Sequence, residues 1–215
     1  MDITWYGKSC IRLRGRDVTI IADPYDRTAG YAPLKLTGDA VSVSDVHPHR
    51  SAVESVTGER KPRVIDGPGE YEIAGAMISG VATYRDAQKG QARGKNTAFL
   101  FTVDDVTVCH LGAIGHTLNA EQIDALKDAD VLLIPVGGEG MIDAGQAVEV
   151  VSQLEPKIVI PIEHSAPDSV AAVIEKFCKD LAATEVAPVP RLQVTRSSLP
   201  EETQVVLLAA PEPRR

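Results

Sequence analysis

Apolar residues in this chain change their spacing once, near His110, and that change limits the fold more than any other feature of the sequence. Up to His110 the apolar positions alternate in short runs separated by turn residues, as in half-buried strands. Beyond it, wholly apolar runs alternate with segments whose apolar residues recur at about 3.6 positions, as in buried strands followed by amphipathic helices. Hairpins early and mixed strands and helices late imply sheets packed face to face with helices outside them, an α/β (α+β) architecture.

The first hairpin joins Cys10-Ile11-Arg12-Leu13-Arg14 to Val18-Thr19-Ile20-Ile21 through the turn residues Gly15-Arg16-Asp17. A second β block covers residues 63–66, 71–73 and 76–81 around Gly75, and a third pairs residues 97–103 with 106–111 across Asp104-Asp105. Asn119, with Gln122 three positions on, predicts a capping-box start for a helix running to about Lys127. Asp143 opens a second helix with Ala147, Val148, Val151 and Leu154 on one face. A third is marked by Val170, Val173, Ile174, Phe177 and Leu181. Residues 131–136 and 157–162 read as buried strands, and residues 192–195 and 204–208 as edge strands.

At 215 residues and 44% hydrophobic, the chain has enough apolar side chains for one large core, so residues 1–209 are expected to form one domain. The Pro-rich, charged residues 210–215 are expected to be a disordered tail without function. A net charge of −8 with dispersed acids disfavours nucleic acid and anionic membrane as partners, while leaving room for a local basic pocket. Cys10, Cys109 and Cys178 are an odd, widely spaced set, expected as free thiols. With no signal-like N-terminus and no apolar run of bilayer length, a cytoplasmic location is expected.

The stretch Asp45-Val46-His47-Pro48-His49-Arg50 carries the chemistry. Asp45, His47 and His49 sit two apart after the strand-like residues 40–44, so an extended backbone aims all three the same way. Carboxylate oxygen and neutral imidazole nitrogen at a strand end suit zinc, manganese or iron. Arg50 opposes that reading, because a guanidinium only donates, never ligates, and repels a divalent cation.

Taken together, pieces spread along the chain resemble the metallo-β-lactamase superfamily, in its compact bacterial and archaeal branch of metal-dependent hydrolases. They are Trp5-Tyr6-Gly7-Lys8-Ser9-Cys10, Ala22-Asp23-Pro24, the His47-Pro48 turn, Asp66-Gly67-Pro68-Gly69-Glu70-Tyr71-Glu72 and Arg93-Gly94-Lys95-Asn96-Thr97. The later ones are His110-Leu111-Gly112-Ala113-Ile114-Gly115-His116, Leu133-Ile134-Pro135-Val136-Gly137-Gly138 and Ile160-Pro161-Ile162-Glu163-His164. The resemblance implies a four-layer αββα sandwich with a metal site at the strand ends between the sheets.

In active members of the family the turn reads His-x-His-x-Asp-His. A further His follows the second β block, a bridging Asp follows the His-Leu-Gly-type strand, and a last His ends a late strand. Here the turn supplies Asp45, His47, His49 and Arg50, Arg85 stands at the next His, and Ala113 at the bridging Asp. Only His47 and His164 match outright, and Lys8 replaces the His of an early Gly-His-Ser segment. Two ligands for each metal position, with arginines alongside, would hold a divalent ion weakly.

The preferred expectation is therefore a protein of this fold without a metal cofactor and without catalysis. In it Arg50 and Arg85 fill the metal space, Asp45 pairs with Arg85, and Lys8, Arg50, Arg85 and Lys95 favour a small anionic ligand. The alternative is an ester or phosphodiester hydrolase with one weakly held zinc or manganese at Asp45, His47, His49 and His164, Asp45 or His49 serving as base. A third reading is a scaffold that assembles as a homo-oligomer. His110 and His116 are expected to hydrogen-bond loop backbone. Cys109 and His110, as strand neighbours, face opposite ways and form no nucleophile–base pair.

Overall fold

The computed structural model describes residues 1–138, 140–163, 167–183 and 186–209, with side chains for all of these except 167–171. Residues 210–215, expected as a tail, lie outside the described residues, as does His164.

Turn residues set the early topology. β1 (Asp2–Trp5), β2 (Ile11–Arg14) and β3 (Thr19–Ala22) form an antiparallel meander, Gly15 closing the second turn through a 2.8 Å hydrogen bond from its N–H to the Val18 carbonyl. β4 (Leu36–Thr37), β5 (Ala40–Ser42), β6 (Val56–Thr57) and β7 (Arg63–Ile65) follow. β5 and β7 extend the meander in parallel, whereas β4 and β6 pair with each other as a small separate sheet.

β8 (Gly69–Ile73), β9 (Ala76–Tyr84), β10 (Lys95–Val103) and β11 (Val106–His110) form a second meander. Asp104 and Asp105 both have positive φ, 51° and 63°, the backbone a two-residue type I′ hairpin turn requires. β12 (Val131–Pro135) and β13 (Ile158–Ile162) then add in parallel. The helices are α1 (Ala120–Leu126), α2 (Ala144–Leu154) and α3 (Pro167–Asp180), and β14 (Leu192–Gln193) and β15 (Gln204–Val205) close one edge of each sheet. Both expected capping boxes are present, at Asn119 with Gln122 and Asp143 with Gln146.

The two large sheets face each other across a core that includes Ile3, Ile11, Leu13 and Ile20 from the first and Phe99, Phe101, Val108, Leu133 and Ile160 from the second. The outer face of the second sheet packs on the helices, through Leu100, Cys109, Leu132 and Val159 against Leu126, Val150, Leu154 and Phe177. β12 and β13 are thus buried on both faces, which is why they read as continuous apolar runs. The expected two-sheet sandwich is present, with the α-helices over the second sheet. Its layer over the first sheet is built from 3-10 turns at Arg27–Ala29 and Val53–Ser55 and from loops, with Tyr25, Leu36 and Val56 packing on Cys10, Ile21 and Val41. Among the described residues no helix is long and apolar enough to cross a membrane.

One side chain ties the second sheet to the loops at its end. Buried Asn96 donates to the Leu111 carbonyl (2.9 Å) and the Thr83 hydroxyl (2.6 Å) and accepts from the Ala113 N–H (2.9 Å). Next to it, Gly112 (φ 60°) admits close contact, since a Cβ there would lie 2.4 Å from Ser44 Cβ. Replacing Asn96 by Ala strands a buried N–H and a buried carbonyl together, so Asn96→Ala should lower unfolding stability by about 2–4 kcal/mol in urea denaturation. A loss indistinguishable from that of exposed-site controls would show that the loops are held by other contacts.

Candidate functional site

The strand ends of the two sheets meet on one side of the sandwich. Asp23 directly follows β3 in a left-handed backbone conformation (φ 48°) that Asp tolerates better than most residues. Its carboxyl accepts the Ser44 N–H (2.7 Å) and lies 2.6 Å from the Ser44 hydroxyl, which fixes the chain just before Asp45. Complete burial pushes the Asp23 pKa up to about 8, against the Ser44 hydrogen bonds and the Arg50 charge that lower it. The turn is then closed by the Arg50 N–H to the His47 carbonyl (2.8 Å) and pinned by the Asp26 N–H to the Pro48 carbonyl (3.0 Å).

Arg50 lies at the centre with 3% of its surface exposed. Its Nε donates to Asp45 Oδ1 in a very short contact, Nη2 to Asp45 Oδ2 at 3.3 Å, and Nη1 to Glu163 Oε1 at 2.9 Å. Ser9 donates its hydroxyl to the same Glu163 oxygen at 2.8 Å. Burial opposes the guanidinium charge, and the bonds and charges of Asp45 and Glu163 outweigh it, raising the Arg50 pKa. Arg85 Nε sits 3.0 Å from Asp45 Oδ2, the ion pair expected from the sequence. The N–H is not aligned for a hydrogen bond, so the attraction there is one of charge alone.

A cavity of about 420 Å³ opens in front of this network, lined by Lys8, His47, His49, Arg50, Arg85, Arg93, Met141 and Glu163. Desolvation lowers the pKa of both histidines, helped for His47 by Arg50 and for His49 by Lys8 and Arg50, so both rings are neutral at pH 7. The rings stand edge to face at 4.8 Å, and His47 Nδ1 accepts the His49 backbone N–H at 3.2 Å. The neutral His47 ring therefore carries its proton on Nε2 and presents a donor there, not a metal-binding lone pair.

The structure brings Lys8, Arg50 and Arg85 to one cavity, together with His47 and His49. Lys95 instead lines an adjoining cleft of about 540 Å³, with Ser44, Asp45, Val46, Asp66, Pro68 and Thr97, and the two clefts share Arg85 and Arg93 as a common wall. The reason is position on the strand: Lys95 begins β10 beyond the loop, while Arg93 is still within it. Ala113 is fully buried and has no carboxylate to offer. His164 lies outside the described residues.

Glu163 was not singled out by the sequence, whereas Arg93 belongs to the loop Arg93-Gly94-Lys95-Asn96, whose residue types can cradle an anion. The only hint for Glu163 was its place beside His164 at a strand end, where it takes a left-handed conformation (φ 52°). As expected, His110 and His116 bond to loop backbone, His110 Nε2 to the Ser9 carbonyl (2.9 Å) and His116 Nδ1 to the Thr117 carbonyl (2.7 Å). His110 is held neutral by burial, its pKa lowered to about 4, and Cys109 points away from it into the helix-side core.

The side chains gathered here fit poorly the metal that the resemblance implies. Asp45 faces two guanidinium groups, Glu163 one guanidinium and a hydroxyl, and His47 is turned into a donor. Among the described residues no three His, Cys, Asp or Glu side chains gather as a ligand set.

Comparison with known proteins gives a consistent picture. Residues 2–163 match the model of the Beta-lactamase superfamily domain. A UPF0173 metal-dependent hydrolase of Thermoplasma acidophilum is 28% identical over 86% of this chain and 92% of its own, and one of Staphylothermus marinus is 32% identical over 80% and 85%. Among solved structures, a candidate Zn-dependent hydrolase of the metallo-beta-lactamase superfamily from Thermotoga maritima superposes with a TM-score of 0.78 at 32% identity, over 97% of this chain and 98% of that one.

Asp23 yields a pH test. Its pKa is raised by folding, so its contribution to stability is complete below about pH 4, declines as pH rises, and is lost above about pH 8. Asp23→Asn keeps an acceptor for the Ser44 N–H and a donor for its hydroxyl without the charge. Urea denaturation should show the wild type losing stability relative to Asp23→Asn between pH 4 and 8. Parallel pH profiles would mean that the carboxyl is ionised throughout that range.

Proposed function

The chain belongs to the metallo-β-lactamase superfamily, and from that premise we propose that the fold's metal cleft serves here as a metal-free, non-catalytic cavity for a small anion. The observation that carries this reading is the Arg50 guanidinium lying buried between Asp45 and Glu163, in hydrogen-bond contact with both carboxylates. A cation is already supplied there by the chain itself, held in part by Asp45, the one carboxylate of the candidate metal set.

Charge counting supports the anion. Four cations line the cavity, and Arg50 and Arg85 are balanced by Asp45 and Glu163. Lys8 and Arg93 have no ion-pair partner among the described residues, so an anion entering the cavity meets a positive surplus. The neutral imidazoles add donors without a charge that must be neutralised. The three cysteines, all buried free thiols, suit a reducing compartment and hence the cytoplasm.

The relatives named metal-dependent hydrolases favour a second reading, in which one zinc or manganese is held by Asp45, His47, His49 and His164. Such an ion would polarise an ester or phosphodiester and make a bound water more acidic. For this Asp45 must leave both arginines, and His47 must release the His49 N–H and turn a lone pair outward.

Two measurements separate the readings. Elemental analysis of protein purified without chelator should find zinc, manganese and iron far below one equivalent, and one tightly held equivalent would establish the second reading instead. Arg50→Met should cost about 3–5 kcal/mol of stability by leaving two buried carboxylates without their cation. Under the metal reading the same substitution removes an obstacle, and added zinc should then restore stability to the variant.

A further inference from the structure

The cavity in front of Arg50 and the cleft beyond Arg85 and Arg93 together describe more than a site for a simple ion. We propose that they take a phosphomonoester of a hydroxylated organic group. The phosphate sits among Lys8, Arg93 and the two imidazoles, and the hydroxyls reach into the adjoining cleft. This inference rests on the anion-binding reading above and sharpens it.

The head group follows from charge. Lys8 and Arg93 are the two cations of the cavity left unmatched among the described residues, so the complement is a dianion. A phosphomonoester carries about −1.5 to −2 at pH 7, whereas a diester or a single carboxylate carries only about −1. Its oxygens also accept enough hydrogen bonds to engage the imidazole donors as well as both cations.

Arg93 is placed by two separate devices. The buried Asp86 carboxylate gathers the N–H groups of Gln88 (2.8 Å), Gly90 (3.0 Å), Ala92 (3.2 Å) and Arg93 itself (2.7 Å), winding the loop around one anion. From a different loop Gly140 (φ 73°) offers bare backbone to the guanidinium, because a Cβ there would lie 1.8 Å from Arg93 Nη1. An arginine without an ion-pair partner among the described residues is thus specified from both sides, which is the arrangement a ligand contact needs and a merely solvated charge does not.

The rest of the ligand follows from the second cleft. It is larger than the first, and its walls carry Asp66, Lys95, Ser44 and Thr97. Asp66 and Lys95 are exposed and have no ion-pair partner among the described residues. The exposed Asp66 carboxylate and Lys95 ammonium, an acceptor and a donor in one wall, match the hydroxyls of a polyol or sugar, whereas an alkyl chain would bond to neither.

Isothermal titration calorimetry on the full chain at fixed ionic strength tests this, with inorganic phosphate, ribose 5-phosphate and ribose as probes. Ribose 5-phosphate should bind about tenfold or more tighter than inorganic phosphate, and ribose should not bind. Arg93→Gln should weaken both phosphate probes about tenfold, while Asp66→Asn should weaken ribose 5-phosphate alone. Both residues are exposed, and thermal melts of the two variants check that they fold. Equal affinity for the two phosphate probes, with no effect of Asp66→Asn, would overturn the hydroxylated ligand and leave the anion site standing. No binding of either phosphate probe, or binding indifferent to both Arg93→Gln and Lys8→Gln, would overturn the anion site itself.

Discussion

A guanidinium buried between two carboxylates organises the open end of this sandwich. Taking three charged groups out of water is costly, and the arrangement persists only because Arg50 makes three directed bonds and Glu163 gains a fourth from Ser9. The network also joins parts far apart in sequence: the turn after the first sheet's β5, the loop after β9, the residue after β13 and the first turn of the chain. Coulomb attraction among groups shielded from solvent does there what a bound cation does in other sites, and it does so in one geometry.

The placement of that network depends on strand ends. In two packed sheets the faces are filled by apolar side chains, and polar groups of opposite sheets meet only where strands stop. Asp23, Asp45, Glu163 and His110 each sit within three residues of a strand terminus, and all four are buried. The buried Asp23, with its raised pKa, and His110, held neutral, show how dry this region is. The cavity outside it is different in kind, with Lys8 and Arg93 reaching toward solvent in front of a neutralised interior.

The identification as a metallo-β-lactamase-superfamily chain and the arrangement of its site lead in different directions. The relatives are named for metal-dependent hydrolysis, whereas here the Asp45 carboxylate is engaged by Arg50 and Arg85 and His47 Nδ1 by the His49 N–H. A donor's identity is therefore insufficient to define a metal site. Its lone pair must be free and aimed, and in this structure those of Asp45 and of His47 Nδ1 accept hydrogen bonds from Arg50 and from the His49 N–H.

Much of the architecture was legible from the residues alone. Alternation before His110, apolar runs after it, two capping boxes and an Asp-Asp turn are local signals, and local backbone preferences decide them. The pairing of Asp45 with Arg85 was legible too, because the resemblance assigns the two positions to one site. What only the tertiary structure decided is the company these side chains keep. Glu163 is 113 residues from Arg50 and was unremarkable in sequence. Arg93 enters the cavity and Lys95 does not, although they are two positions apart. Those outcomes depend on which strand ends the two sheets bring together and on which loop leaves room, as Gly140 does for Arg93. Chain sequence fixes such distances only after the whole core has packed.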